Sequence, residues 1–388
     1  MINQLRRQRL RGPMDRRRFL QGAGLGLTGA GVSLLFGCGG DDDDAPPADG
    51  PEPPPEVTTI RICRCYISCT IPHVVARRFL LEEGFTNVEY VINDGRPART
   101  NEMLADRTLD MSMNFAPPVV FGLDRGLPLV VLGGLHPACF ELRAGPGIAS
   151  LADLRGKRVT IMDRNPQPAD FAFATSILQH IGLTPGRDLE LVAEGVRGLP
   201  TANRVLTEGV AHALFVNPPH TQQLRDASVG HVVLDSMTDR PWSQYFCCLL
   251  TSSKAFVEAA PVAAKRAVRA FVRASDYCAT NPEAAAREYT DAGWSATYPY
   301  ALETAQMLPY GAWRTHSVED TMRFYALRLR EAGVIESTPD EILKKGVDLR
   351  FFNEHKQKLA LAPGFATRDG LFALNCEVTA GIDPLRPS

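Results

Sequence analysis

From residue 58 onward, hydrophobic positions recur with two different periods that alternate along the chain. A period of two is typical of strands, and a period near 3.6 is typical of helices. The first part of this region predicts strands at 58–65, 87–91, 110–115 and 129–133, with helices at 73–83 and 99–105. The consecutive prolines that follow the third strand predict a loop at 116–118.

The middle of the chain repeats this alternation. It predicts strands at 158–162, 189–193, 212–216 and 231–234, a short helix before Gly156, and longer helices at 171–181 and 202–208. After residue 250 the pattern becomes helical, with one face formed by Ala264, Val268, Phe271, Val272, Ser275 and Cys278. Short strands that alternate with helices indicate an α/β fold with mostly parallel sheets.

The first 38 residues have a different character. Arg16 and Arg17 precede Phe19 and Leu20, and an apolar, glycine-rich stretch follows from 22 to 36. A basic segment followed by a short apolar one is typical of a secretory signal peptide and is too short for a permanent membrane span. The paired arginines resemble the twin-arginine export signal.

The end of this stretch, residues 35–38 (LFGC), resembles a bacterial lipobox. The resemblance implies that Cys38 is diacylated and becomes the first residue of the mature protein, which then reaches the periplasm or the cell surface with a lipid in a membrane. An ordinary soluble signal peptide is the alternative.

Residues 39–57 are acidic, rich in proline and nearly free of large apolar side chains. Such a segment buries too little surface to fold, so it predicts a disordered tether. At roughly 3 Å per residue the tether reaches up to about 55 Å from a membrane. About 330 residues follow it, enough for two lobes with separate cores.

The charge balance and the hydropathy each exclude one class of protein. The chain has 42 basic and 44 acidic residues and shows no basic stripe, which argues against nucleic-acid binding. After residue 38 no stretch is long and apolar enough for a transmembrane helix.

Three segments carry a resemblance to a known family: SLADLRGKRVTI at 150–161, HALFVNPP at 212–219, and the helix pair at 252–286. They resemble the periplasmic substrate-binding proteins of bacterial ABC transporters, in the branch that binds nitrate, sulfonates, taurine and thiamine-pyrimidine precursors. The resemblance covers 58–345 and implies the type II periplasmic-binding-protein fold, in which two α/β lobes are joined by two crossovers. Lobe one is then 58–140 with 246–345, lobe two is 141–245, the crossovers lie near 139–146 and 243–247, and 346–388 is a C-terminal extension.

The same resemblance implies a function. A lipid-anchored protein of this family captures a small molecule between its lobes and delivers it to an ABC permease and its ATPase, without catalysis or a cofactor. An exported enzyme or a sensor-accessory protein on the same fold is the alternative. The pyrimidine-synthase relatives need an iron site and a lysine near a histidine, whereas 58–150 contains His73 but no lysine, and YFCCLL at 245–250 only weakly resembles their cysteine motif.

Ligands of open α/β sheets bind beyond the carboxyl ends of the strands. That rule selects ten candidate substrate-binding residues: Tyr66, Asn114, Phe115, His136, Cys139, Gln167, Asp170, Asn217, Trp242 and Tyr245. Each has a structural alternative, because the aromatic residues can belong to the core, the histidine can be buried, and the asparagine can belong to a turn.

Asp170 bears on the charge of the ligand. It stands at the start of a predicted helix, where a carboxylate caps the free N–H groups and competes with a bound anion. Arg164 in the same loop can offset this effect. We therefore expect a neutral or weakly cationic ligand with a flat polar face, enclosed by Trp242 and Tyr66.

The cysteines raise the question of a metal or a disulfide. Cys63 and Cys65 point to one face of a strand, and we expect them to be small buried side chains, with Cys69 at the edge of the cleft. A zinc site needs a second pair of ligands, and Cys247 and Cys248 are strand neighbours that face opposite ways. No metal is therefore predicted, although eight cysteines after the signal leave one or two disulfides open.

Overall fold

The computed structural model describes residues 52–65, 67–93, 97–161, 168–193, 199–294 and 296–360. The predicted signal peptide, most of the tether, Cys38, Tyr66, Arg164 and Gln167 lie outside these ranges. Among the helices that are described, none combines the length and the apolar character of a membrane span.

The first lobe is built on a five-stranded sheet. Its strands are β1 (Thr59–Arg64), β2 (Asn87–Ile92), β3 (Met111–Phe115), β4 (Leu129–Pro137) and β10 (Phe246–Ser253). They lie in the order β2-β1-β3-β10-β4. Strand β1 is parallel to β2 and β3, whereas β10 is antiparallel to both of its neighbours.

The second lobe repeats this arrangement. Its strands are β5 (Glu141–Ala144), β6 (Arg158–Thr160), β7 (Glu190–Val192), β8 (Ala213–Val216) and β9 (His231–Asp235), in the order β7-β6-β8-β5-β9. Strand β5 is the antiparallel one and pairs with β8 and β9. In each sheet the fourth position therefore belongs to a strand that has just arrived from the other lobe. These two strands, β5 and β10, are called the crossover strands below.

Helices cover both sheets. In the first two thirds of the chain they are α1 (Ile71–Glu82), α2 (Pro97–Ala105), α3 (Ala116–Asp124), α4 (Ala172–His180), α5 (Leu199–Thr207) and α6 (His220–Asp226). The remainder is helical after β10, with α7 (Lys254–Ala259), α8 (Pro261–Thr280), α9 (Pro282–Asp291), α10 (Tyr298–Met307), α11 (Val318–Glu331), α12 (Pro339–Gly346) and α13 (Arg350–Ala360). Short 3₁₀ helices span Ser68–Thr70, Leu151–Leu154, Pro168–Phe171, Trp242–Gln244 and Tyr310–Arg314.

The predicted fold class is confirmed, with two local corrections. The loop expected at 116–118 is wrong, because Pro117 and Pro118 form the first turn of α3, where a missing N–H group removes no hydrogen bond. Strands β5 and β10 were not predicted. All eight residues of β10 are buried and the last three are polar, so the sequence shows neither an alternation nor a continuous apolar run there.

The described part of the first lobe begins at Glu52, inside the segment that the sequence assigns to the tether. The Glu52 carboxylate lies 2.6 Å from Nη2 of Arg269 on α8, and the Glu56 carboxylate accepts hydrogen bonds from the backbone N–H groups of Val262 and Ala263. Residues 52–57 are therefore held against the start of α8.

Beyond residue 345 the chain still contributes to the first lobe. Val347 forms a β-bridge with Val131 of β4. Phe352 of α13 packs over Gly133, where an added Cβ would lie 2.7 Å from the phenyl ring. Glycine is therefore required at this point of β4 for α13 to approach the sheet.

Candidate functional site

The two lobes meet where the strands of both sheets end, and aromatic side chains join them there. Phe115 is the last residue of β3 in the first lobe, and its ring centroid lies 5.3 Å from that of Phe173 on α4. Phe173 in turn packs edge-on against Phe140, at 4.6 Å. The predicted residue Phe115 therefore faces the other lobe at the carboxyl end of its strand.

Asn114 is fixed by its own lobe. Its side-chain amide donates to Oδ1 of Asn101 on α2 over 2.6 Å, and its Oδ1 accepts from the backbone N–H of Phe115. These bonds hold the end of β3 against α2, directly beside the contact between the lobes.

Asp170 reaches across to the first lobe. Its side chain is buried, and Oδ1 accepts a hydrogen bond of 3.0 Å from the backbone N–H of Ala98 in the first turn of α2. We expected this carboxylate to cap the helix that follows it, but the N-cap of α4 is Phe171 and no side chain caps that helix. The short 3₁₀ turn before α4 accounts for the difference, because it carries Asp170 away from the first turn of α4.

Asn217 links the second lobe to the first crossover. Its Nδ2 donates to the carbonyl oxygen of Cys139 over 2.7 Å. The next residue, Pro218, accepts a hydrogen bond of 3.0 Å from the backbone N–H of Ser68 in the first lobe. The Asn217-Pro218 segment is therefore part of the junction between the lobes.

Trp242 and Tyr245 lie at a different place. Trp242 packs edge-on against His180 at the carboxyl end of α4, at 5.5 Å, and Tyr245 stacks on Phe324 of α11 at 4.2 Å. Asp170 precedes the opposite end of α4, and nine helical residues separate the ends by about 13 Å. The structure does not bring Trp242 together with Asp170.

A second set of contacts between the lobes was not predicted from the sequence. Arg225 on α6 forms an ion pair with Glu303 on α10, and its Nη2 lies 2.9 Å from Oε2. The hydroxyl of Tyr300 donates to Asp226 over 3.1 Å, and Gln222 donates to Thr304 over 3.0 Å. An open groove of about 620 Å³ runs along this edge, lined by Leu199, His220, Gln223, Asp226, Ala227 and Tyr300.

His136 is fully buried at the end of β4. Its Nδ1 lies 3.0 Å from the carbonyl oxygen of Pro137, so Nδ1 carries the proton and Nε2 carries the lone pair. Among the described residues Nε2 has no hydrogen-bond partner. Burial lowers the pKa of His136, which keeps the ring neutral.

Four cysteines meet beside this histidine. The Sγ atoms of Cys69, Cys139 and Cys248 lie within 4.8 Å of one another, and Cys247 Sγ lies 2.8 Å from that of Cys139. Burial on its own raises the pKa of the Cys139 thiol, but hydrogen bonds from Cys247, Cys248 and Cys69 bring that pKa well below its usual range. Cys139 is therefore the thiol of the group that ionises first.

The predictions for the cysteines are partly wrong. Cys69 is fully buried among thiols, and Cys247 and Cys248 both approach Cys139. Irregular pairing of β10 with β4 on both sides of Cys248 changes the direction of the side chains there. Their common location could have been found from the topology, because Cys139 and Cys247 both lie at predicted crossovers.

Cys63 in β1 and Cys65, directly after the strand, point to the same side, as predicted, and their Sγ atoms are 2.7 Å apart. Cys63 is buried as expected, whereas Cys65 is half-buried. All seven cysteines that the structure describes are free of disulfides.

The chain resembles known proteins at two levels. A family model described as NMT1/THI5 like matches residues 79–285, more than half of the 388 residues. No curated protein sequence is significantly similar to the chain.

Solved structures extend the comparison. The periplasmic nitrate-binding protein NrtA from Synechocystis PCC 6803 is 16% identical, with a TM-score of 0.63 over 79% of this chain and 90% of that one. The alkanesulfonate-binding protein SsuA from Xanthomonas axonopodis pv. citri, bound to MOPS, is 14% identical, with a TM-score of 0.59 over 77% of this chain and 100% of that one. The desulfurization enzyme DSZB is 16% identical, with a TM-score of 0.55 over 77% of this chain and 99% of that one. At these identities the structures establish the fold.

Proposed function

Because the chain belongs to the NMT1/THI5-like family, we propose that it is the solute-binding component of an ABC importer. In this proposal it captures a small molecule between its lobes outside the cytoplasm and delivers it to the permease and its ATPase. The fold shared with nitrate-binding and alkanesulfonate-binding proteins supports this assignment.

The observation that carries the proposal is the kind of contact that joins the lobes. Apart from the two crossovers, they are joined by side-chain contacts such as Phe115 with Phe173, Asp170 with Ala98 and Arg225 with Glu303. Such contacts break without unfolding either sheet, so the lobes can open as a hinge to admit a solute. The crossovers near 139–146 and 243–247 are the segments that flex.

The solute is neutral or weakly cationic. The amino end of α2 carries a partial positive charge and free N–H groups, which is how helix ends hold anions. In this chain the buried carboxylate of Asp170 takes the N–H of Ala98 at that end. An anionic solute in the same place would have to displace Asp170 and would be repelled by it. Tyr66 and Gln167 remain candidates for contact with the solute, whereas Trp242 packs at the other end of α4.

The signal segment places the protein on the membrane surface. Arg16 and Arg17 direct export by the twin-arginine route, and Cys38 receives the lipid. Labelling with a fatty-acid analogue should mark the wild-type protein but not Cys38→Ala. Equal labelling of both proteins would contradict the anchor, and export after Arg16→Lys with Arg17→Lys would contradict the route.

An enzyme is the second candidate, because a desulfurization enzyme has the same fold. His73, the first-lobe histidine considered for the pyrimidine-synthase chemistry, argues against it. It is fully buried, its Nε2 accepts the backbone N–H of Met113, and burial lowers its pKa to about 3. It supports β3 and is not available to a substrate.

Thermal unfolding with a panel of solutes tests the proposal. Pyrimidines, amino-acid derivatives, aromatic acids, sulfonates and nitrate should be added to the exported protein. A ligand at about 100 times its Kd stabilises the protein by about 2.7 kcal/mol, which a melting curve resolves. The stabilising solute should be recovered unchanged, whereas conversion to a product would favour the enzyme.

A comparison with Asp170→Asn tests the charge of the solute. If nitrate or a sulfonate gave the largest stabilisation in the wild-type protein, and the variant gave the same value, the inference from Asp170 would be wrong. For a cationic solute, the variant should bind more weakly than the wild-type protein.

A further inference from the structure

The four-cysteine group has the dimensions of a metal site. Around a tetrahedral zinc ion, with Zn–S bonds of about 2.3 Å, sulfur atoms lie about 3.8 Å apart. The Sγ atoms of Cys69, Cys139 and Cys248 lie within 4.8 Å of one another. Side-chain shifts of about 1 Å or less would bring the three atoms onto one ion.

His136 is the candidate for a fourth donor atom. The group of atoms within 4.8 Å of one another consists of the three sulfurs and does not include a nitrogen of His136, so the imidazole would have to move toward them. His136 pairs with Cys248 across β4 and β10. Its Nδ1–H is held by the Pro137 carbonyl, which leaves the lone pair of Nε2 free of any described partner. Histidines that bind metals typically donate their other ring N–H to a carbonyl or carboxylate in this way.

The four side chains are buried, so a polar atom without a partner among them lowers the stability of the folded protein. His136 and Cys69 are fully buried, and Cys139 and Cys248 are exposed by 1% and 2%. A buried ring nitrogen without a hydrogen bond destabilises a protein by roughly 1–3 kcal/mol. A metal ion bound to Nε2 would remove that cost, since it would take the lone pair.

The donor set selects the class of ion. Three thiolates and a neutral imidazole suit a thiophilic ion, whereas Mg²⁺ and Ca²⁺ prefer oxygen. With Zn²⁺ the site has a net charge of −1, and the three thiols release three protons to water when the Zn–S bonds form. No electron is transferred.

We propose that Cys69, Cys139, Cys248 and Nε2 of His136 form a zinc site. The ligands come from the 3₁₀ turn before α1, the first crossover, the crossover strand β10 and the end of β4. Zinc would therefore hold both crossovers against the first lobe. The crossovers would then bend only where they join the second lobe. This site does not involve the solute between the lobes, so its tests do not depend on the proposed function.

Metal analysis of the full-length protein is the first test. The protein should be purified with its thiols reduced and without chelators, and its zinc content measured by mass spectrometry. We expect about one zinc ion per chain. After zinc removal, Co²⁺ should produce thiolate-to-cobalt charge-transfer bands and the visible bands of a tetrahedral site.

Variants identify the ligands. Loss of a residue that only hydrogen-bonds to a metal ligand typically weakens metal binding by roughly 10–100-fold. Cys69→Ser and Cys248→Ser remove ligands themselves and should weaken zinc binding by more than that. His136→Gln should alter the tetrahedral cobalt bands and keep the charge-transfer bands. Cys278→Ser is the matched control, because Cys278 is equally buried but lies on α8, and it should bind zinc as the wild-type protein does.

Cys247→Ser tests the competing fate of the group, a disulfide between Cys139 and Cys247. The variant cannot form this bond and should retain zinc. A Cys139–Cys247 disulfide in peptides of the exported wild-type protein would overturn the proposal. Absence of zinc and of cobalt bands in the reduced wild-type protein, or copper in place of zinc, would also overturn it.

Discussion

The two crossover strands occupy the same place in their sheets but are built from different chemistry. Strand β10 has eight residues, all buried and none charged. Strand β5 has four, and it includes Glu141 and the buried Arg143. Arg143 donates to the Glu141 carboxylate over 2.8 Å and to the carbonyl oxygens of Val229 and Gly230.

The difference teaches that one topological position can be stabilised in two ways. Strand β10 is held by burial of apolar side chains in the larger lobe, which continues into seven helices. Strand β5 is held by a charged pair whose hydrogen bonds also secure the turn before β9. A buried charge is tolerated only when its partners are present, so we expect β5 to be the more fragile of the two.

The largest effect is expected from breaking the charged pair of β5. Arg143→Met would leave the Glu141 carboxylate and two carbonyl groups without their donor. The free energy of unfolding should therefore fall by about 4 kcal/mol. Urea unfolding measures the change. The double variant Glu141→Leu with Arg143→Met has no unpaired charge and should recover much of the loss. A single variant within about 1 kcal/mol of wild type would remove the distinction between the strands.

A smaller loss is expected from a cavity in β10. Leu250 is fully buried between β3 and β4, and Leu250→Ala should destabilise the protein by about 3 kcal/mol. Leu142→Ala is the matched variant, because Leu142 is equally buried in β5. If burial alone stabilised both strands, the two losses would be equal and Arg143→Met would not exceed them.

The pH dependence of stability gives a further test, which concerns a buried histidine in the first lobe. Burial lowers the pKa of His73 to about 3 from 6.5, so between these values the unfolded chain binds a proton that the folded protein excludes. Stability is therefore full above pH 6.5 and falls as the pH is lowered, by about 2 kcal/mol at pH 5.

Urea unfolding at pH 7 and pH 5 checks this expectation. His73→Gln keeps an acceptor for the Met113 N–H but cannot titrate, so it should lose the part of the pH dependence that His73 contributes, while the part from His136, whose pKa burial also lowers, should remain. A wild-type stability that is equal at the two pH values would contradict burial of a neutral His73.

The smallest effect concerns the ion pair between α6 of the second lobe and α10 of the first lobe. Arg225→Ala removes the exposed ion pair with Glu303, which should change the free energy of unfolding by less than about 1 kcal/mol. The same energy shifts the equilibrium between open and closed lobes by up to about fivefold, since 1.4 kcal/mol corresponds to a factor of ten.

Small-angle scattering without a solute should therefore give a larger radius of gyration for Arg225→Ala. Arg204→Ala is the control, because Arg204 pairs with Glu208 inside α5 and spans no junction. An equal effect of both variants would mean that the ion pair between the lobes has no role in closure.

The sequence predicted what depends on local periodicity. Strands β1 to β4 and β6 to β9 were found within a few residues, from alternation or, in the uniformly buried β4 and β8, from a short apolar run. Strand β10 was missed since it ends in the polar residues TSS and shows neither pattern, and β5 was missed since ELRA contains no β-branched or aromatic residue.

The site was predicted less completely, because its parts come from distant segments. Asn114, Phe115, Asp170 and Asn217 lie at strand ends or before a helix near the junction of the lobes, and their contact with a ligand stays a prediction. Only tertiary structure could reveal that Asp170 binds the opposite lobe. The same is true of the cysteine group, where residues 69, 139 and 248 meet across more than a hundred residues of chain.

The contacts of Glu52 and Glu56 have a mechanical consequence for a chain that is pulled from its amino-terminal side. Tension applied at Glu52 is borne first by its ion pairs with Lys265 and Arg269, and then by the bonds between Glu56 and the start of α8. The load passes into a helix of 20 residues before it reaches β1. Because several bonds share this load, force on the chain would have to break them together before it could peel the first strand from its sheet.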